Sequence, residues 1–455
     1  MESQLAGMST TPAETFNIEQ NGAMKDDEHL AEVSASAHSV GHDSWQQVGL
    51  MVATCYNCGW ILSFSNLMFV PLGWGWGIPG LFLVGLFTWY TSWLLAGFHF
   101  IDGQRFIRFK DMIRHLFGKE MYYVTWISQS AILILGNMGF ILLGGRGLKE
   151  INLMFSDSPM RLQYFIIITG ITYFIFSSIV PNMSAIRVWL GASAILTFGY
   201  IGVVLVIVVK DGRIIGKSNS HRNYEVKGNM TDKVLNAFGA ISAILVCNAP
   251  IILPEIQATL RKPAVKNMRR VLIVQYTAGL MVYYGVSILG YWAYGSAVSD
   301  YLPTVLSGPK WAKVLINLIV FLQNIISQHV FLQPVHEALD TKFLKHDEGI
   351  YSKGNLKGRL LLRLLLFTGC TLVAAALPFI GYFINLLGSF TLVWLTFILP
   401  SMIFIKVKGK TARVEQKAWH WTIIFVSSLL AVATTVSAFR LIVLNIKNYN
   451  FFANQ

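Results

Sequence analysis

From Trp45 onward the sequence alternates long apolar runs with short basic loops, and that alternation leaves few folds open. The runs fall at 46–70, 76–99, 121–144, 162–181, 185–209, 234–256, 270–294, 311–333, 360–378, 380–404 and 419–444. At a rise of about 1.5 Å per residue each can cross a hydrocarbon core of about 30 Å. Composition agrees: 54% of residues are hydrophobic, 13% are charged and the mean hydropathy is +0.53, too apolar for an ordinary soluble surface. The expectation is an all-α membrane protein of eleven transmembrane helices, with its two termini on opposite faces.

The formal charge of +13 could point to nucleic acid, but the basic residues sit in short loops between apolar runs, where they act as topology signals. Arg105, Arg108, Lys110, Arg114 and Lys119 follow span 2, and Arg261, Lys262, Lys266, Arg269 and Arg270 follow span 6. Similar groups follow spans 8 and 10, so these loops share one face, which the positive-inside rule makes cytosolic. The loop after span 5, with Lys210, Arg213, Lys217, Arg222, Lys227 and Lys233, is the exception. It also holds the glycosylation sequon Asn229-Met-Thr, which this topology turns outward; a second match, Asn182-Met-Ser, falls in a cytosolic turn and reads as chance. Residues 1–44 read as a disordered, acidic cytosolic tail without the basic start and apolar core of a signal peptide. Residues 45–444 form the transmembrane core and 445–455 a short extracellular tail. The segment Phe106–Phe117 spaces its apolar and basic residues as an amphipathic helix for the inner leaflet.

Two of the runs are internally irregular. Ala243–Pro263 begins as an apolar helix yet contains Asn248, Pro250 and Pro254. Pro250 has no N–H and its ring clashes with the carbonyl of Val246, which frees backbone groups in hydrocarbon at a cost of several kcal/mol each. A break near Cys247 to Ala249 follows, with Asn248 as N-cap and Pro250 as first-turn proline of a second half-helix reaching about Leu260, its positive end toward the bilayer centre. A proline kink that serves packing alone is the bland alternative. Span 1 carries Asn57 and Gly59 at mid-membrane within Ala53–Trp60. If spans 1–5 and 6–10 are inverted repeats, the two breaks are equivalent, and paired interruptions of this kind point to a secondary-transporter site near the midplane. The symmetry rests on span spacing, since no residue-level repeat is visible.

Other polar residues within spans could line the same cavity: Gln129 and Asn137, two turns apart in span 3, and Gln323, Asn324, Ser327 and Gln328 in span 8. Interhelical hydrogen bonding, worth about 0.6 to 2 kcal/mol, is their structural alternative. No Asp or Glu lies in the middle of any of these runs, and His329 is the one deep ionisable group; Arg146, Glu255, His336, Arg363 and Arg440 fall near span ends. A substrate ammonium would therefore meet carbonyls, amides or the faces of Tyr56 and Trp60. His329 could carry a coupling proton or simply pack. The cysteines Cys55, Cys58, Cys247 and Cys370 all lie within spans, so no disulfide framework is expected, and the Cys55-x-x-Cys58 spacing without other soft ligands gives no metal or redox site.

The run Leu253-Pro-Glu-Ile-Gln-Ala-Thr-Leu-Arg-Lys-Pro263, then Val265-Lys-Asn-Met268 and Gly290-Tyr-Trp-Ala-Tyr-Gly295, resembles the amino acid/auxin permease family, and within it the plant proline and compatible-solute branch. Asp43-Ser-Trp45, Val70-Pro-Leu-Gly-Trp74, Trp189-Leu-Gly191, Ser307-Gly-Pro-Lys-Trp311, Asp340-Thr-Lys342 and Leu395-Thr-Phe-Ile-Leu399 extend the likeness over the core. The resemblance implies an eleven-helix, 5+5 inverted-repeat fold with broken helices 1 and 6, in the plasma membrane with a cytosolic N-terminus. It also implies import of proline, 4-aminobutyrate or betaines together with protons. Asn57 and Asn248 match the branch pattern, whereas Ala249, Pro250, Cys58, Gly59 and Trp60 depart from it and put the substrate in question.

The expected substrate site comprises Tyr56, Asn57, Cys58, Gly59, Trp60, Asn137, Cys247, Asn248 and Ala249, with Ser327 and His329 as candidates for the coupling ion. A substrate carboxylate would take N–H groups near Gly59 and Trp60, and its amine the carbonyls near Cys247 to Ala249. No cofactor, resident metal or catalytic group is expected; the partners are a small solute, protons and the lipid bilayer, with no nucleic acid. Sodium held between span 1 carbonyls and Ser327, a broader neutral amino acid permease, and a non-transporting amino acid receptor remain alternatives. A membrane enzyme finds no nucleophile with base and no phosphate loop in the sequence.

Overall fold

The computed structural model describes residues 41–180, 185–217, 222–249, 251–345, 352–445 and 451–452. The acidic tail before residue 41, Asn182-Met-Ser, Pro250 and most of the 445–455 tail lie outside the described residues.

The chain folds into helices, with one minimal hairpin. In order these are α1 (Trp45–Tyr56), α2 (Trp60–Phe69), α3 (Gly73–Gly97), β1 (Phe100–Ile101), β2 (Gln104–Arg105), α4 (Phe109–Phe117), α5 (Lys119–Phe155), α6 (Leu162–Ile179), α7 (Arg187–Lys217), α8 (Met230–Asn248) and α9 (Leu253–Ala258). Then follow α10 (Ala264–Val274), a π-turn over Gln275–Gly279, α11 (Leu280–Tyr294), α12 (Lys310–Phe343), α13 (Lys353–Ala376), α14 (Ile380–Val393), a second π-turn, α15 (Leu399–Lys408) and α16 (Val414–Asn445). Among the described residues ten helical stretches are long and apolar enough to cross a membrane. The pieces α1 and α2, of 12 and 10 residues, are each shorter than a crossing.

Local chemistry explains the boundaries. Ser44 caps α1 by accepting the Gln47 N–H at 3.3 Å while the Gln47 side chain accepts the Ser44 N–H at 2.8 Å, a reciprocal capping box. Asn229 of the sequon caps α8, its Oδ1 accepting the Asp232 N–H at 2.8 Å. The spans run past the apolar runs: α5 has 37 residues and α12 has 34, so both project beyond a hydrocarbon core.

Two expectations change at the second break. Asn248 is the last residue of α8 rather than the cap of a following helix, and its amide turns back to the Ile244 carbonyl at 2.8 Å. The chain then passes through an irregular segment, and α9 begins at Leu253 with Pro254 in its first turn, where a missing N–H costs nothing. That half-helix has only six residues and ends at Ala258, short of Leu260. It is too short to present a useful dipole.

The breaks face each other: α2 packs on α8, while α9 packs on α1. Around them the buried side chains form two large apolar clusters, and Trp60, Val246 and Tyr276 pack against both. Where no water is expelled, such contacts are held by dispersion and close approach. On α6 the inward face carries Thr169, Tyr173 and Ser177, all fully buried, whereas Ile168, Ile171 and Ile175 are about half exposed to the surrounding apolar phase.

The predicted amphipathic segment is helical as α4, but its apolar face is not laid on lipid. Phe109, Met112 and Ile113 are buried against the protein, α5 above all. On this N-terminal face, residues 41–43 run beside the end of α9: Gly41 and Asp43 donate to the carbonyls of Ala258 and Thr259, and the Arg261 N–H returns to the Asp43 carbonyl. Arg105 donates to the carbonyls of Ala258 and Leu260 and to His99 Nε2, while the buried Asp43 carboxylate pairs with Arg187. Burial, then the Arg105 charge, push the His99 imidazole down to about 3, which suits its role as neutral acceptor.

Candidate functional site

A small cavity of about 50 Å³ lies where the two breaks meet. Tyr56, Cys58 and Trp60 line it from the first break, and Cys247, Ala249 and Ile251 from the second. Leu133, Gly136 and Phe140 of α5 and Phe331 of α12 close the sides. Among the described residues no Asp, Glu, Lys, Arg or His faces it.

The first break supplies directed polar groups. At the start of α2 the Ile61 N–H donates to the Cys58 carbonyl at 3.4 Å and the Leu62 N–H to the Gly59 carbonyl at 3.0 Å. The Trp60 N–H lies near the Cys58 sulfur, a weak acceptor. Tyr200 donates to the Asn57 carbonyl at 3.2 Å and fixes the break from behind. The Tyr56 hydroxyl lies 3.3 Å from that of Tyr276, which in turn lies 3.2 Å from Ser92 Oγ, so the phenol is oriented by a chain of hydroxyls. At the second break α8 ends at Asn248, with the Ala249 N–H donating to the Leu245 carbonyl at 3.0 Å.

Trp60 is the partition of the site. It borders both this cavity and a second one, of about 90 Å³, on the face opposite the N-terminal segment. Its ring packs edge-on against Phe140 at 5.0 Å, and a Cβ on Gly139 would come within 2.1 Å of it, so only glycine admits the indole there. Above it Arg146 pairs with Asp300 at 2.9 Å.

Other expected site residues stand back from the cavity. Asn57, Gly59 and Asn248 shape the breaks without lining it. A Cβ on Gly59 would come within 2.8 Å of Asn324 Oδ1 and 2.9 Å of Leu143, so this glycine permits the close approach of α2, α5 and α12. Asn137 is buried beside Cys370 of α13, whereas Gln129 donates to the Ile251 carbonyl at 2.9 Å. Eight residues turn a helix about 80° past two full turns, so the two amides do not share a face. Ser327 donates to the Thr54 carbonyl at 3.0 Å, and the Gln323 amide donates to both that hydroxyl (2.8 Å) and that carbonyl (3.4 Å). His329 turns away from the cavity, 3.4 Å from Ser177 Oγ and edge-on to Phe176.

Sequence reasoning overlooked the apolar walls, Gly136, Phe140, Ile251, Phe331 and Ile384, because in a membrane helix nothing distinguishes a leucine-like residue facing a cavity from one facing lipid.

The family model for transmembrane amino acid transporter proteins matches residues 41–440. GABA transporter 1 of Arabidopsis thaliana is 30% identical over 429 residues, 88% of this chain and 93% of that protein. Lysine histidine transporter-like 1 and 6 of the same plant are 26% and 28% identical, each over 84% of this chain and over 84% and 87% of their own lengths. Among solved structures, the fold is similar to that of a Na+-coupled sialic acid symporter in a substrate-bound outward-open state, with a TM-score of 0.52, 11% identity and coverage of 92% of this chain and 96% of that one. With interrupted helices around a central cavity and a family match over almost the whole core, the chain belongs to the transmembrane amino acid transporter proteins, the amino acid/auxin permease family.

Proposed function

We propose that this chain is a secondary active transporter of the plasma membrane, with a cytosolic N-terminus, that imports proline and related compatible solutes such as 4-aminobutyrate and betaine by proton symport. Transport proceeds by alternating access across eleven spans, with α1–α2 and α8–α9 the interrupted members of two inverted five-span repeats. The observation that carries this reading is the cavity without charged side chains at the junction of both breaks. A compact zwitterion needs no side-chain partner there: the start of α2 faces its carboxylate and the carbonyl end of α8 its ammonium. Tyr56 and Trp60 offer ring faces to a secondary or quaternary amine. The relative named for 4-aminobutyrate fits such a site better than those named for lysine and histidine, because no lining carboxylate among the described residues could pair a cationic side chain. Proton rather than sodium coupling is favoured by Thr54 and Ser327, whose carbonyl and hydroxyl oxygens already receive protein donors.

Uptake of labelled proline at acid external pH, in cells expressing the chain, tests the reading against excess 4-aminobutyrate, betaine and large amino acids. Block by the first two and persistence without sodium are expected. Absence of proline uptake, or block only by large side chains, rejects the substrate assignment, and strict sodium dependence rejects the coupling.

A further inference from the structure

Glu255 on α9 is 4% exposed and lies beneath the central cavity, in a small pocket that shares Leu133 with it. Its bonding is lopsided. Oε1 accepts from Gln129 Nε2 at 3.1 Å and from the Phe109 N–H at 3.3 Å, while Oε2 is buried with no hydrogen-bond partner. A buried carboxylate without donors on one oxygen is far more costly than a neutral carboxyl group in the same place. The conformation therefore suits the protonated acid.

The surrounding charges are otherwise engaged. Arg108 bonds Glu337 of α12 at 2.6 and 2.9 Å, and Lys110 lies over the rings of Trp126 and Tyr122; Asp111 follows it on α4. Arg105 is committed to His99 and to the carbonyls at the end of α9. Of the helices packed on α9, α1 and α3 carry no charged residue, and α10 carries Lys266, Arg269 and Arg270, with Arg269 over Trp93. No ion pair reaches Glu255 among the described residues. Gln129 meanwhile donates to both Glu255 and the Ile251 carbonyl, so one amide ties the carboxyl group to the segment that lines the substrate cavity.

From this geometry we infer that Glu255 is the proton-carrying residue of the symport, a role that rests on the transport reading above. With the N-terminal face closed, Oε2 holds a proton taken from the acid outside. When α9 moves and water enters from that face, the O–H bond breaks, the proton passes to water, and the carboxylate gains donors from solvent and from Lys110. Gln129 is the positioning residue that reports this change to Ile251.

The test uses purified full-length protein in proteoliposomes with labelled proline or 4-aminobutyrate, whichever the wild type carries. One coupled proton and a gradient of one pH unit support ~tenfold accumulation. Glu255→Gln should abolish this accumulation and the acid stimulation of uptake, yet keep substrate exchange across the bilayer within about threefold of wild type. Gradient-driven accumulation by Glu255→Gln at the wild-type level overturns the inference. If exchange is also lost, Glu255→Asp decides: recovered exchange with a displaced pH profile upholds the role, and an undisplaced profile or no recovery overturns it. A wild type that ignores pH and requires sodium would instead defeat the proton reading itself.

Discussion

At residue scale, two glycines one turn apart on α5 do opposite things. Gly139 is the floor on which Trp60 lies, and any Cβ there collides with the indole. Gly136 lines the central cavity with nothing within 4 Å of a would-be Cβ. Gly136→Ala should therefore fold and reach the surface normally while removing cavity space, raising KM for a bulky solute by ~tenfold and that for the smallest by less. Kinetics with substrates of graded size check this; equal KM changes for all would show that Gly136 does not border bound solute. The sequence exposed Asn57, Gly59 and Asn248 because polar or flexible residues are conspicuous in an apolar run. Gly136 stayed hidden because glycine is common in membrane helices for packing alone.

At the scale of elements, α12 and α13 are joined through a bidentate pair, Arg363 to Asp340 at 3.0 and 3.1 Å, with both side chains buried. Removing one partner strands the other charge. Arg363→Met alone should cost about 3–5 kcal/mol of stability, and adding Asp340→Leu should recover most of it. Thermal melts of the detergent-purified protein measure this; a double variant no more stable than the single would mean that the pair is not the source of the loss. Arg363 had been read as a span-end residue free to snorkel, since sequence gives its distance from a helix end but not what packs there. The same blindness affected α4, whose moment was legible but whose apolar face found α5 instead of lipid.

At the scale of the whole molecule, contacts among distant segments tie the N-terminal face together. Residues 41–43 run beside α9, Asp43 pairs with Arg187 at the start of α7, and Arg105 bonds the end of α9. Asp43→Asn leaves Arg187 beside a neutral amide and should shift the population toward opening on this face. Cys247 borders the central cavity, so in a variant retaining only that cysteine its labelling by a polar thiol reagent applied from the N-terminal face should rise several-fold, and excess substrate should reverse the rise. Unchanged labelling would show that Asp43 does not hold the face closed.

By itself the sequence pointed to a bundle of membrane helices and to the two spans with irregular centres. The helices follow from the cost of unpaired backbone groups in hydrocarbon, and the irregular centres from a proline without an N–H in one run and an Asn and a Gly in the other, each a local property of its run. Only the tertiary structure decided which side chains meet at those breaks: that Asn248 bonds back into its own helix, that His329 faces Ser177 instead of the cavity, and that Glu255 is buried under Gln129. Those outcomes depend on helix rotation and close approach, which a uniformly apolar surround leaves to packing among neighbours.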